Sequence, residues 1–200
     1  MRLLVATQNQ GKVAEYRRLL KDLEVELLEP TFDVAFPAPE ETGASFEDNA
    51  RLKAEAYMKH FGMPAISDDS GLEIDVLGGF PGVRSARHAG PGASWDDLIE
   101  AVLRRLRPHR QPWKARFVCV AAVAAPGRAT VLTRAELRGR IVDQPRGDCG
   151  FGYDPIFYVR SLRRTVGELS PQEKDSISHR AMALRALADR GALDLAEGPA

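Results

Sequence analysis

The uninterrupted apolar run Leu3-Leu4-Val5 reads as the core of a buried strand over Leu3 to Thr7, whereas Val13, Tyr16, Leu19, Leu20 and Leu23 recur at helical spacing. Gln8 to Lys12 forms the turn between them. Leu27-Leu28 and Val34 to Phe36 are shorter strand candidates, followed by the polar stretch Pro39-Glu40-Glu41-Thr42-Gly43. A second helix opens with Ser45 as N-cap and Asp48 three positions on, and runs to about His60, where Gly62 and Pro64 stop it. Pro64-Ala65-Ile66 is a buried strand that ends in the acidic turn Ser67-Asp68-Asp69-Ser70-Gly71; then Leu72, Ile74 and Val76 alternate with Glu73 and Asp75 as a half-buried strand. Gly78 to Gly82 closes that strand. Ser94 and Asp97 form a capping box ahead of the stripe Leu98, Val102, Leu106, and this third helix ends near Pro108. Lys114 to Ala125 is apolar and β-branched, turns at Pro126-Gly127, and continues through Ala129 to Leu132 and Ala135 to Leu137 as a hairpin or meander. Ser170-Pro171-Gln172-Glu173 joins an N-cap, a proline at the first helical position and a glutamate at the third, opening a helical region through about Ala188. Helices alternating with strands, then a run of strands, then helices again, predict an α/β fold with a mixed central sheet flanked by helices.

Composition narrows the function. The 200 residues suit one domain, 1–200, with a core large enough to need no staples. A formal net charge of +0 disfavours a binder of nucleic-acid polymers, because phosphate-backbone affinity needs a basic excess. Any anion site is therefore a local cluster. Cys119 and Cys149 lack ligand-like or redox-like spacing, which argues against zinc and against a disulfide framework. No stretch approaches the roughly 20 apolar residues that span a bilayer, and the start of the chain carries no signal-like apolar region. The expectation is a cytoplasmic protein with no membrane partner.

Five groups of residues carry candidate chemistry. Asp68 and Asp69, adjacent at a strand end, offer hard oxygen ligands for Mg²⁺ and a carboxylate able to orient or deprotonate water; the competing reading is an acidic turn whose Asp and Ser side chains bond their own backbone. Thr7-Gln8-Asn9-Gln10-Gly11-Lys12 sits between a strand and a helix start, where backbone N–H groups and the helix dipole favour an anion such as phosphate; an ordinary turn with a solvated lysine is the alternative. Asn49 and Lys53 share a helix face. Gly150-Phe151-Gly152-Tyr153-Asp154-Pro155 leaves the Phe151 ring little covered by its neighbours, which suits stacking on a flat base, or else marks a bulged strand with core aromatics. Lys174, Ser178, His179 and Arg180 present donors near the start of the last helical region.

In this order, these motifs resemble the Ham1-type family of inosine and xanthosine triphosphate pyrophosphatases. The resemblance rests on Thr7 to Lys12, Glu40-Glu41-Thr42-Gly43, Asn49 to Ala54, Asp68 to Leu72, Pro81-Gly82-Val83-Arg84-Ser85-Ala86-Arg87, Gly150 to Phe157 and Ser178-His179-Arg180. It implies two lobes with a cleft between them, a homodimer, and Mg²⁺-dependent hydrolysis of a purine nucleoside triphosphate (ITP, dITP, XTP) to the monophosphate and pyrophosphate. It further implies a catalytic set of Asp69, Lys53 and Asp68, with Asp69 as proton acceptor for the attacking water. Mg²⁺ would lie on Asp69 with Glu40 or Glu41. Thr7, Gln8, Asn9, Gln10, Gly11, Lys12, Lys53 and Lys174 would hold phosphates, while Ser70, Phe151, Gly152, Tyr153 and Asp154 would also bind the substrate, Phe151 by stacking on the purine with Tyr153 beside it. His179 and Arg180, as donors, would favour a keto oxygen at purine position six over an amino group. Gln8 departs from the glycine many relatives carry there, and Arg87 is a further candidate phosphate contact. Two other readings share these residues: a nucleotide-binding module without turnover, and a pyrophosphatase with a different base preference.

Overall fold

The structure is a computed structural model that describes residues 2–29 and 39–194. The candidate strand Val34 to Phe36 lies outside them. Seven strands form one sheet in the order β2-β1-β3-β4-β5-β6-β7, where β1 is Arg2–Val5, β2 Glu26–Leu28, β3 Ala65–Ile74, β4 Trp113–Ala124, β5 Val131–Ile141, β6 Phe157–Val159 and β7 Arg164–Thr165. β1 runs parallel to both β2 and β3, with Leu4 opposite Ala65 and Val5 opposite Ile66, whereas β6 is antiparallel to β5 and β7. The sheet is therefore mixed, as the alternation of elements predicts. The helices are α1 (Gln10–Leu19), α2 (Phe46–Phe61), α3 (Trp95–Leu106), α4 (Pro171–Ile177) and α5 (His179–Asp189). Among the described residues no helix is long and apolar enough to cross a membrane.

The chain divides into two compact units: residues 1–69, 119–135 and 180–200 make the first, and residues 70–118 and 136–179 the second. In the first, Leu3, Val5, Val13, Tyr16, Ile66, Cys119, Ala121, Val123, Leu184 and Leu187 form a buried core around β1, α1 and α5. In the second, Leu72, Ile74, Leu98, Val102, Leu106, Phe117, Ile141, Ile156 and Phe157 do the same around α3.

Four expectations change. The acidic segment is no turn: Ser67, Asp68 and Asp69 are buried inside β3, which continues unbroken to Ile74. Turn chemistry loses because each carboxylate finds side-chain partners from helices, so the backbone stays free for the ladder. Val76 belongs to a short 3₁₀ turn, Asp75–Leu77, closed by Gly78 in the left-handed region. The two apolar pieces after Gly127 merge into the single strand β5, whose intervening polar residues are Thr133, buried with its hydroxyl donating to the Ala183 carbonyl at 2.7 Å, and exposed Arg134. The C-terminal helix breaks at Ser178, which is extended (φ −68°, ψ 147°) and separates α4 from α5. The starts of α2, α3 and α4 agree with their sequence signals, whereas α1 already begins at Gln10, within the segment read as a turn. Asn9, Ser45, Ser94 and Ser170 all cap by accepting a backbone N–H.

At α3 the capping box is complete: the Asp97 N–H donates to Ser94 Oγ at 3.2 Å and the Ser94 N–H donates to Asp97 Oδ2 at 2.9 Å. Ser94→Ala is expected to cost about 1 kcal/mol and to lower the melting temperature by roughly 2–4 °C. An unshifted thermal transition would show that packing alone sets the start of α3.

Candidate active site

Neighbouring residues of a strand point to opposite sides, so Asp68 and Asp69 address different partners from one stretch of backbone. Asp68 Oδ2 lies 2.8 Å from Lys12 Nζ and 3.1 Å from Arg180 Nη2, and Asp68 Oδ1 accepts from the Tyr16 hydroxyl at 3.1 Å. Lys12 Nζ also donates to the Asp68 carbonyl at 3.2 Å. Arg180 Nη1 pairs with Glu15, itself buried, and the Cys119 thiol stands 4.0 Å from Asp68 Oδ2. Burial works against the Asp68 charge, but Arg180 and Lys12 together hold its carboxyl well below the usual range. Asp68 is thus a permanent anion. Burial and the Asp68 charge push the Tyr16 hydroxyl well up, so it remains a donor.

The sequence dictates this side through the start of α1. Thr7 Oγ1 accepts the Asn9 N–H at 3.2 Å, and Asn9 Oδ1 accepts the Lys12 N–H at 3.1 Å, which closes the first turn. Lys12, Glu15 and Tyr16, spaced three and four apart, then share one face. Gln10, Gly11 and Lys12 are consequently helical rather than loop residues, with their amides at the positive end of the helix dipole. Gln8 is exposed, and Thr7 and Asn9 are half-buried.

On the Asp69 side, α2 supplies the partners. Asn49 Nδ2 donates to Asp69 Oδ2 at 3.0 Å, and Lys53 Nζ lies 3.5 Å from Asp69 Oδ1 and 2.5 Å from Glu41 Oε1. The Asn49 amide is oriented from behind, because its Oδ1 accepts the Gly43 N–H at 2.8 Å. That approach needs glycine: a Cβ on Gly43 would stand 2.6 Å from Asn49 Oδ1. Burial raises the Asp69 carboxyl above the usual range, Lys53 and Lys12 pull it back, and Glu41 adds to the rise. Burial opposes the Lys53 charge, yet Asp69 and Glu41 raise its pKa, so Lys53 stays an ammonium. Adjacent carboxylates are therefore tuned apart, Asp68 down and Asp69 up. Glu40 is exposed on the Pro39–Thr42 turn, so Glu41 is the member of the pair that reaches Lys53 and Asp69's surroundings.

Among these residues Lys12, Lys53 and Arg180 face Asp68, Asp69, Glu15 and Glu41, which leaves a surplus of negative charge. No group of three or more metal-ligating side chains occurs among the described residues. Asp69 and Glu41 still suit Mg²⁺, which is held by one or two carboxylates while keeping water and phosphate oxygens. Both already flank the cation of Lys53.

In the second unit, Asp154 organises the segment around Phe151. Its Oδ2 accepts the Phe151 N–H at 2.9 Å and the Lys174 ammonium at 2.6 Å, and Lys174 Nζ lies 4.6 Å from the Phe151 ring centroid. Gly150, at φ 81°, makes room: a Cβ there would sit 2.1 Å from Asp154 Oδ2. Lys174, expected on phosphates, is buried against Asp154 beneath Phe151. Gly152 and Tyr153 are buried and Phe151 is half-buried. His179 stacks on Phe117 with centroids 4.9 Å apart. Ser70 is half-buried in β3.

The structure thus joins Lys12, Asp68 and Arg180, then Asp69, Lys53 and Glu41, then Phe151, Asp154 and Lys174. Sequence reasoning missed Glu15 and Tyr16 as site residues and, although it placed Asn49 on the face of Lys53, gave Asn49 no role. A usable signal existed in the helical spacing of Glu15 from Lys12, since Glu15 is the acidic residue of α1.

Comparison with known proteins identifies the family. The Ham1 family profile matches residues 3–190. The dITP/XTP pyrophosphatase of Geobacillus kaustophilus is 46% identical over 187 residues, covering 92% of this chain and 91% of its own length. The dITP/XTP pyrophosphatase of Streptococcus thermophilus is 45% identical over 187 residues, which cover 92% of this chain but 58% of that longer protein. Among solved structures, a HAM1 protein from Coxiella burnetii superposes with a TM-score of 0.87 at 42% identity, over 98% of this chain and 100% of its own. A match that starts in β1 and ends just past α5 takes in every residue placed above, and this chain belongs to the Ham1 family.

Proposed function

We propose that this chain hydrolyses ITP, dITP and XTP to the nucleoside monophosphate and pyrophosphate, acting as a single catalytic domain that clears altered purines from the nucleotide pool. The observation that carries the reading is the pair of buried carboxylates on β3 with opposite electrostatics. A carboxylate raised toward neutrality and set beside an ammonium is suited to accept a proton. The names of the relatives supply the substrate class.

In this reading Asp69 takes the proton from a water attacking the α-phosphorus, and the pyrophosphate departs opposite it. Lys53 holds phosphate charge beside Asp69. Asp68 acts mainly by fixing Lys12 toward the polyphosphate, with Arg180 and Tyr16 holding Asp68 in turn. The start of α1, Thr7 to Lys12, lends backbone donors, and Ser70 adds a hydroxyl. Asp69 and Glu41 would hold Mg²⁺, which, when bound, neutralises charge on the polyphosphate. Phe151 stacks on the purine, with Lys174 and Asp154 supporting it and Gly152 and Tyr153 completing that segment. His179 and Arg180 read the keto oxygen at position six, Arg180 being held in orientation by Glu15 and Asp68. We also propose that the chain is a cytoplasmic homodimer, on the family resemblance.

With Mg²⁺ present, inosine triphosphate is expected to give inosine monophosphate and pyrophosphate, far faster than ATP is cut, as read by chromatography of the products. Orthophosphate with a diphosphate nucleotide would overturn this chemistry. Asp69→Asn is expected to lower kcat at least about 10²-fold while nucleotide still binds by calorimetry. In the metal-free protein the Asp69 carboxyl is expected to titrate above the ordinary carboxylate range, because burial outweighs the pull of Lys53 and Lys12, as read by its side-chain NMR shift against pH. An ordinary carboxylate titration would refute that effect of burial, and full turnover by Asp69→Asn would remove Asp69 from the proton transfer. Sedimentation is expected to give twice the 22.0 kDa chain mass, and a monomer would refute the dimer.

A further inference from the structure

Tyr153 is the residue of the base-stacking segment whose hydroxyl is tied elsewhere. That oxygen carries a single proton, which it donates to the Ser85 carbonyl at 2.7 Å. His88 Nε2 stands 2.7 Å from the same oxygen. A carbonyl only accepts, so the hydroxyl proton is committed to Ser85, and His88 must be the donor of the second bond. The hydrogen bonds thereby select the Nε2–H tautomer. Burial and the nearby Arg105 charge keep the His88 pKa below its ordinary value, so near neutral pH the ring is the neutral donor.

Both partners are anchored. The Ser85 hydroxyl accepts the Leu72 N–H at 2.8 Å and donates to the Gly82 carbonyl at 2.6 Å, which pins its segment to β3. The edge of Phe80 meets His88 at 5.0 Å, Arg105 covers Phe80 at 4.1 Å, and Trp95 meets Tyr153 edge-on at 5.8 Å. Tyr153 lies inside the turn that the Asp154 N–H closes on the Phe151 carbonyl at 3.4 Å, so its backbone position is tied to that of Phe151 two residues earlier. A shift of the Tyr153 ring would therefore carry Phe151 with it.

We propose that His88 is a positioning residue for nucleotide binding: its Nε2–H, acting through the Tyr153 hydroxyl, sets the segment that presents Phe151 to the base. The inference rests on the base-stacking role of Phe151 proposed above. His88 itself touches no substrate in this scheme. A misplaced platform weakens substrate and transition state alike, so the effect falls on KM rather than kcat.

The test measures kcat and KM for inosine triphosphate, the Kd for inosine monophosphate by calorimetry, and the melting temperature. The proteins are the wild type, His88→Ala, His88→Gln, Tyr153→Phe and the His88→Ala/Tyr153→Phe pair. His88→Ala is expected to raise KM and Kd roughly fivefold, the loss of one part-buried hydrogen bond, with kcat within about twofold of wild type. His88→Gln, whose amide can donate to the same oxygen, is expected to restore most of the affinity. Adding His88→Ala to Tyr153→Phe should change KM little, because the bond is already gone. Unchanged KM and Kd in His88→Ala, a loss confined to melting temperature, or additive effects in the pair would each overturn the proposal. Should His88→Ala not fold, His88→Gln at wild-type affinity together with a weakened Tyr153→Phe supports it, and any other result overturns it. Absence of pyrophosphate from the wild type would refute the activity instead, while the Kd measurements still decide the role of His88.

Discussion

A fully buried carboxylate survives in a protein only if it is paired and hydrogen-bonded, and Asp68 meets that demand with three partners from two helices. Lys12 and Tyr16 come from α1, and Arg180 comes from α5, itself balanced by Glu15. Losing any charged member would leave another stranded away from water, at a cost of about 3–5 kcal/mol. The position of Lys12 at the start of α1 is therefore not a surface accident. It follows from the need of one anion inside β3.

The same strand holds a second carboxylate under different rules. Asp69 has an amide and an ammonium for partners and a like-charged neighbour in Glu41, so burial prevails and its pKa rises. One residue along, Asp68 is driven the other way by two cations. Alternation along a strand thus places two identical side chains in opposite electrostatic settings, which is how a single short segment can supply both a fixed anchor and a group ready to accept a proton.

The second unit solves a different problem, holding an aromatic ring without burying it. Phe151 gains its place from the backbone outward: its N–H is held by Asp154, Asp154 by Lys174, and Tyr153 by Ser85 and His88. The glycine at 150 permits the close carboxylate, and the ring stays half-buried. The segment is thus fixed by hydrogen bonds along its backbone, with Lys174 4.6 Å from the ring centroid, which suits the stacking role proposed for Phe151.

Residue order alone determined the starts of the helices capped by Ser45, Ser94 and Ser170, since an N-cap and its third residue interact locally, and it determined the mixed sheet, since strand and helix periods are written in the chain. The ordered motifs also marked the family and most of the residues that gather at the two sites. Only the tertiary structure decided that Asp68 and Asp69 lie within a strand rather than a turn, because their partners Arg180, Lys12, Asn49 and Lys53 are remote in sequence and local turn chemistry cannot anticipate them. The same holds for Lys174, a cation that pairs with Asp154, and for His88, whose bond to Tyr153 spans 65 positions. Local propensity is a short-range energy, whereas the burial of charge is settled by whichever distant group arrives to neutralise it.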